Sequence, residues 1–361
     1  MPGLALLTVG IYCLSGISTA CYSQTPLAES IAVRAGIPPP FEVGFYANVC
    51  PTSDPEPIEV VPNNGGSWKL VSIKEANHGR VRIISDQAIE YTPFSNTLAN
   101  VDDIVFTMSD ASGTTASGTA HLRYVRAPAT GPFPYPLIPG TTAWRAATVE
   151  ERFGYSQIPD CWLAQASSWQ IFCSVVGHPY FKTIFLPGSP LGKSYASARW
   201  GLVSVLKAVD HAPDFGVNML RYMEGLDIHA IASASCGDAG FCGIDYLILC
   251  YMAGMDSCLN TMGQTPSAQQ ANLQKLFRLA VWDAADCCSS TNTDFMAGGP
   301  IQLIYKIYGQ PETVRGTFPT NMILPLLSEG EVAHLGGGSM PLELIPLAGS
   351  IKTAFGLTAR P

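Results

Sequence analysis

Residues 102–125, DDIVFTMSDASGTTASGTAHLRYV, decide the fold of the N-terminal part of this 361-residue chain. The stretch 102–110 is rich in β-branched and aromatic residues and carries carboxylates at both ends, which predicts a strand. Ser112–Thr115 is a turn signal, and the residues from 118 to 125 predict a second strand. The centre of this region is therefore expected to be a sheet.

Shorter strands are predicted upstream of this pair. Residues 68–73 alternate apolar and polar side chains, as a half-buried strand does. Residues 81–84 and 88–93 predict two further strands, separated by turn-forming residues. Five to seven short strands with turns every eight to twelve residues are typical of a β-sandwich, which we place at residues 58–126.

Four motifs give this region a family resemblance. In chain order they are Gly66-Ser67-Trp68-Lys69-Leu70, Ala76-Asn77-His78-Gly79-Arg80-Val81, Tyr91-Thr92-Pro93 and Asp103-Ile104-Val105-Phe106-Thr107-Met108-Ser109-Asp110. Their order is similar to that of the bacterial cadherin-like, Ig-like tandem-repeat domain, although Ile104 stands where that family has Ser or Ala. The resemblance implies a binding, adhesion or spacer module in an exported protein and implies no catalysis.

The periodicity of the sequence becomes helical from about residue 148. Thr148-Val149-Glu150-Glu151 is a capping pattern for a helix start. Apolar residues then recur at spacings of three and four between 161 and 176, residues 244–253 form a fully apolar helix, and residues 267–287 an amphipathic one. The predicted fold is therefore an N-terminal Ig-like β-sandwich followed by an all-α helical domain.

The remaining segments complete a predicted domain order. Residues 1–20 are expected to be a signal peptide, and 21–57 a Pro-rich lead-in, either an exposed linker or an irregular strand. The Pro- and Gly-rich stretch 127–142 is predicted to be the linker between the domains. The Cys-rich helical domain spans 143–310, and 311–361 is a mixed tail.

A second resemblance lies at the start of the helical domain. Residues 149–159, VEERFGYSQIP, and His178-Pro179-Tyr180-Phe181 are similar to a helical domain of uncharacterised secreted Bacteroidetes-type proteins. The resemblance implies a bacterial envelope setting and brings no activity.

The N-terminal sequence MPGLALLTVGIYCLSGISTA bears on localisation. Small residues at Ser18 and Ala20 fit signal peptidase cleavage before Cys21, although no Lys or Arg precedes them. Cys21 would alternatively be a lipid anchor. No later apolar run has the 18 to 20 residues, roughly, that a membrane span needs. We therefore expect a secreted or cell-envelope protein without a transmembrane span.

Charge and cysteine content narrow the function further. The net charge is −8 and only 13% of residues are charged, with no basic stripe, which argues against nucleic acid as a partner. Eight of the eleven cysteines lie between Cys161 and Cys288, so we assign the cysteines to one domain. In an oxidising compartment they are expected to be structural disulfides or buried thiols, because their spacing fits zinc poorly.

Three carboxylates form the one predicted metal site. Asp102, Asp103 and Asp110 flank the same strand, and calcium prefers several carboxylate oxygens at the ends of domains. The alternative is that they are solvated turn residues, with Asp110 capping a β-turn.

No motif identifies a reaction, and no catalytic residue is assigned. The favoured hypothesis is a non-enzymatic binding or adhesion protein whose ligand is a surface glycan or a protein. The alternative is a secreted hydrolase with its site in the helical domain. Its acid and base or nucleophile would come from Glu150, Glu151, Glu224, Asp227, Cys236, Cys242, His211 and His229.

Overall fold

A computed structural model describes residues 44–50, 56–59, 68–94, 100–126, 130–181, 207–210, 212–233, 243–287, 294–319, 324 and 344–361. Within these ranges every strand lies before residue 125 and every helix after residue 141. The predicted order, a strand sandwich followed by a mostly helical region, is confirmed.

Seven strands form two sheets. One sheet has the order β1-β7-β6-β3 and the other β2-β5-β4. Strand β1 runs parallel to β7, and the other pairs are antiparallel. The strands are β1 Gly44–Val49, β2 Glu56–Glu59, β3 Lys69–Ile73, β4 Gly79–Ser85, β5 Ala88–Pro93, β6 Val101–Ser109 and β7 Thr115–Tyr124.

The sandwich core follows from the alternation in β6. Ile104, Phe106 and Met108 are almost fully buried, while the residues between them face outward. On the neighbouring strand of the same sheet, Gly118 lies beside Phe106 and Ala120 beside Ile104, so small residues of β7 leave room for the large side chains of β6.

Strand β1 lies inside the Pro-rich segment 21–57. Of the two alternatives for that segment, the described residues Gly44–Val49 form the lead-in strand, and it completes the edge of the four-stranded sheet. The sequence did not predict it clearly, because the prolines nearby lower strand propensity. Its pairing with β7 is a long-range interaction that local sequence patterns do not show.

Twelve helices whose bounds the structure describes follow the strands, and residues 207–210 are helical as well. None of them is long and apolar enough to span a membrane. They are α1 Thr142–Ala146, α2 Val149–Tyr155, α3 Asp160–Leu163, α4 Ser168–Val176, α5 Phe215–Glu224, α6 Ile228–Ser233, α7 Gly243–Ala253, α8 Asp256–Asn260, α9 Pro266–Cys287, α10 Asp294–Tyr308, α11 Glu312–Arg315 and α12 Leu344–Ala354.

Helix α9 is the centre of the helical core. It packs against α10, α11 and α12, and its residues Leu276, Phe277 and Ala280 are fully buried. The apolar helix predicted at 244–253 is α7, which packs against α10. Gly299 permits that contact, because a Cβ there would lie 3.0 Å from Leu247 Cδ1.

Part of the stretch predicted to be the domain linker, 127–142, contributes to the helical core. Phe133 and Tyr135 are buried, and both bond to α4: the Phe133 N–H donates to Ser174 Oγ at 2.7 Å and Tyr135 Oη to Ser174 O at 2.9 Å. The boundary itself stays a prediction, but residues 133 and 135 are anchored to the helices.

Candidate functional site

The joint between the sandwich and the helices is built around helix α2. Thr148 caps this helix: its Oγ1 accepts from the Glu151 N–H, and Glu151 Oε2 accepts from the Thr148 N–H at 2.7 Å. The capping pattern predicted from the sequence is thereby confirmed. It fixes the start of α2, whose other end lies against strand β1.

Asn48 of β1 connects the two modules. Its Nδ2 donates to the carbonyl oxygens of Tyr155 at 2.9 Å and Gln157 at 2.8 Å, and its Oδ1 accepts from Arg123 Nη1 at 3.3 Å. Arg123 also donates from Nη2 to Pro134 O. Burial lowers the pKa of Arg123 to about 10, so its charge is kept in the joint at a desolvation cost.

Aromatic packing closes the joint beside Asn48. The ring of Tyr46 stacks on His121 with centroids 4.9 Å apart and meets Tyr155 edge-on at 5.4 Å. Gly154 makes this approach possible, because a Cβ there would lie 2.0 Å from the Tyr46 carbonyl oxygen. His121 is held from the other side by Asp103, 2.9 Å from its Nδ1.

A disulfide between Cys50 and Cys161 completes the joint. Assigning the cysteines to one domain is therefore wrong for Cys50, which lies at the end of β1. Its position more than a hundred residues before the cysteine cluster was the signal for a crosslink between modules. Cys173 is also disulfide-bonded, and Cys250 and Cys258 are buried.

Asp102 of the predicted calcium site is buried and bonded within the sandwich. Its carboxylate accepts backbone N–H bonds from Asn77, His78 and Asp103 at 2.9–3.0 Å, and Tyr91 Oη donates to it at 2.7 Å. Asp102 therefore holds the turn before β4 against β6. Tyr91 in turn bonds Tyr124, whose pKa burial raises to about 12.

The other two carboxylates have different surroundings. Asp103 pairs with His121, and Asp110 accepts from Ser112 and Thr114 in an exposed turn, where the Ser112 hydroxyl lowers the pKa of Asp110. Asp102 and Asp110 lie at opposite ends of β6, eight residues or about 26 Å apart.

In the part of the chain that the structure describes, no three His, Cys, Asp or Glu side chains are grouped to hold a metal ion. Asp102 and Asp103 are thus neighbours in sequence that face different partners, and Asp110 is remote from both. The calcium site stays a prediction.

The carboxylates considered for a hydrolase each have a structural partner where they are described. Glu151 is in the α2 cap, Glu224 pairs with Lys275, and Asp227 Oδ1 accepts from the Ala230 N–H. His229 pairs with Asp286 at 2.9 Å, not with Asp227. Cys236, Cys242 and His211, and the side chain of Glu150, lie outside the described residues.

The open edge of the sandwich exposes apolar side chains. Strands β3 and β4 each end their sheet, and Val71 on β3 is 52% exposed while Ile84 on β4 is 44% exposed. Edge strands offer backbone groups to a partner wherever no neighbour bonds them, although on β3 the Leu70 N–H already donates to Asp86 O. Val71 and Ile84 are thus two exposed apolar positions on edge strands.

Comparison with known proteins agrees with this architecture. Residues 39–123 match the family described as Bacterial Ig domain, a span that includes β1 and most of β7. The N-terminal module is thus Ig-like, as predicted. No curated protein and no solved structure matched the chain. The likeness of the helical region to Bacteroidetes-type secreted proteins stays a prediction.

Proposed function

We propose that this chain is an exported, non-enzymatic binding protein in which the Ig-like module is a spacer that presents the helical domain to a surface ligand. Bacterial Ig-like modules are consistent with a surface or adhesion role. The ligand class is a glycan or a protein at a cell surface.

The joint is the observation that carries this proposal. A spacer holds a binding domain in a defined orientation only when the two are rigidly connected. Here a disulfide, the buried Asn48 and the buried Arg123 connect the sandwich to the helical region. A flexible tether would have needed none of these groups. The joint supports one stiff unit.

The disulfide also supports export. Disulfides persist in oxidising compartments and are rare in the cytosol, and Cys50–Cys161 joins the end of a sandwich strand to the core of the helical region. Residues 1–20 and the alternative lipid anchor at Cys21 lie outside the described residues, so the route of export is part of the proposal.

A binding array tests the proposal. The full chain, purified under oxidising conditions, is applied to glycans and to extracellular proteins, and bound components are analysed by mass spectrometry. Saturable binding without cleavage of the ligand is expected. Absence of any specific binding contradicts the proposal, and cleaved products favour the hydrolase alternative.

Two surface variants locate the binding face. Val71→Ser and Ile84→Ser change exposed positions on β3 and β4, the last strands of their sheets. If the helical domain binds the ligand, both variants retain affinity. A tenfold or greater loss, about 1.4 kcal/mol, would instead make the Ig-like module the binder and reject the spacer role.

A further inference from the structure

A buried carboxylate on helix α9 and three backbone carbonyls form a polar pocket in the helical domain. The side chain of Asp283 is fully buried, and Tyr246 Oη of helix α7 donates to its Oδ2 at 2.5 Å. The carbonyl oxygens of Met223, Glu224 and Leu226, at the end of helix α5, face the same point. We call these groups the Asp283 pocket.

Arg360 fills the Asp283 pocket completely. Its Nε donates to Asp283 Oδ1 at 2.8 Å and its Nη2 to Oδ2 at 3.2 Å. Nη2 also donates to Met223 O at 2.8 Å, while Nη1 donates to Glu224 O and Leu226 O, both at 2.9 Å. All five N–H groups of the guanidinium are thereby matched by acceptors.

This arrangement selects a guanidinium over other cations. Five acceptors around a planar group match the fixed fork of a guanidinium, whereas an ammonium has three donors in a tetrahedral array. The carbonyls lie at the C-terminal, negative end of α5, and Asp286, one turn beyond Asp283, adds a carboxylate that pairs with His229.

The segment that carries Arg360 lies at the surface. Thr358, Ala359 and Pro361 around it are exposed, whereas the preceding helix α12 is held by buried Ala348 and Ile351. Phe355 and Leu357 pack on the helical core, so only residues 358–361 can leave the pocket while the rest of the segment stays in place, because apart from Arg360 their side chains are exposed.

We propose that the Asp283 pocket is an arginine-recognition site, occupied in cis by Arg360 and open to the arginine side chain of a partner peptide once residues 358–361 are released. Arg360 then competes with the peptide for the pocket and lowers the apparent affinity of the chain for the peptide. Burial raises the pKa of Asp283 and Arg360 opposes that rise, which agrees with a carboxylate that needs a cation.

Chemical rescue tests the site. Arg360→Ala is expected to lower the midpoint of thermal unfolding by about 6–12 °C, because it leaves a buried carboxylate unpaired. Guanidinium chloride at about 10 mM, well below the molar range that denatures proteins, restores at least half of the loss. Methylammonium chloride at the same concentration does not. Arg221→Ala, which removes an exposed arginine over Trp169, is the control and gains nothing from guanidinium.

Peptide binding tests access by a partner. Arg360→Lys keeps a cation near Asp283, so this variant provides a folded chain even if Arg360→Ala does not fold. The peptide TARP, residues 358–361, is expected to bind either variant at least tenfold more tightly than TAKP. Equal binding of the two peptides, or equal rescue by guanidinium and methylammonium, overturns the proposal.

Discussion

Cys50, at the end of strand β1, is disulfide-bonded to Cys161 in helix α3, 111 positions further along the chain. Cys50 follows a sandwich strand, yet it is buried in the core of the helical region, against which Cys161 also packs. The disulfide fixes the point at which Asn48 and Tyr46 also contact helix α2, so covalent and noncovalent contacts coincide.

Removing this disulfide is expected to destabilise the chain. The double variant Cys50→Ser, Cys161→Ser frees a loop of about a hundred residues in the unfolded state, so we expect a loss of about 2–4 kcal/mol. Urea denaturation measures it. Val105→Ser, at an exposed position of β6, is the control and should stay within about 0.5 kcal/mol of the parent. A double variant as stable as this control would show that the crosslink adds nothing.

Asn48→Ala is expected to weaken the joint without changing either core. The substitution deletes two hydrogen bonds to carbonyl oxygens and removes the Asn48 Oδ1 that accepts from Arg123. Together these losses lower the free energy of unfolding by about 2–3 kcal/mol. Equilibrium denaturation measures the loss of stability, and amide hydrogen exchange at residues 44–50 and 149–157 measures the local weakening of the joint. Ser117→Ala, exposed on β7, provides the comparison, and equal exchange in both variants would contradict the role of Asn48.

Two glycine substitutions should act in opposite directions. Gly154→Ala places a Cβ 2.0 Å from the Tyr46 carbonyl oxygen, so helix α2 must move away from β1 and stability falls by about 2 kcal/mol or more. Gly349→Ala, in helix α12 with no atom within 4 Å, should instead stabilise by about 0.5–1 kcal/mol. Thermal unfolding of both variants checks the contrast, and a neutral Gly154→Ala would refute the close contact.

His178 should make the chain sensitive to acid. Burial lowers the pKa of His178 to about 3; the Tyr180 N–H donates to its Nδ1, and its Nε2 bonds Ser156 O. The unfolded chain therefore binds a proton at this site below about pH 6.5, and stability falls as the pH drops from there towards 3.

The expected size is about 2–3 kcal/mol of stability lost between pH 7 and pH 4.5 through this residue. Urea denaturation across that range measures it. His178→Gln should remove this part of the pH dependence, whereas His229→Gln, at an exposed site, should leave it. An unchanged slope in His178→Gln would show that other groups cause the acid sensitivity.

Asp102→Asn separates the structural role of this carboxylate from calcium binding. Four groups donate to the Asp102 carboxylate, from Asn77, His78, Asp103 and Tyr91, whereas an amide has only one acceptor oxygen. The free energy of unfolding should therefore fall by about 2–4 kcal/mol, with or without calcium. Denaturation of both forms in calcium and in a chelator measures this. A parent chain that loses as much stability to chelator as to the substitution would favour the calcium site.

Local signals in the sequence determined the secondary structure well. The alternation in β6 and the Thr148 capping box act over a few residues, so composition and spacing alone predicted a strand sandwich followed by helices. Strand β1 could not be predicted in this way, because it is short, gives no clear periodicity and lies in a Pro-rich segment, and only pairing with β7 makes it a strand.

The tertiary structure alone decided how the two modules are connected. Asn48 bonds residues 107 and 109 positions away, and Arg360 pairs with Asp283, 77 positions away. Cys50 bonds Cys161 and none of the other cysteines. Such partners depend on how the packed elements bring distant backbone groups together, and no spacing in the sequence encodes a distance between them.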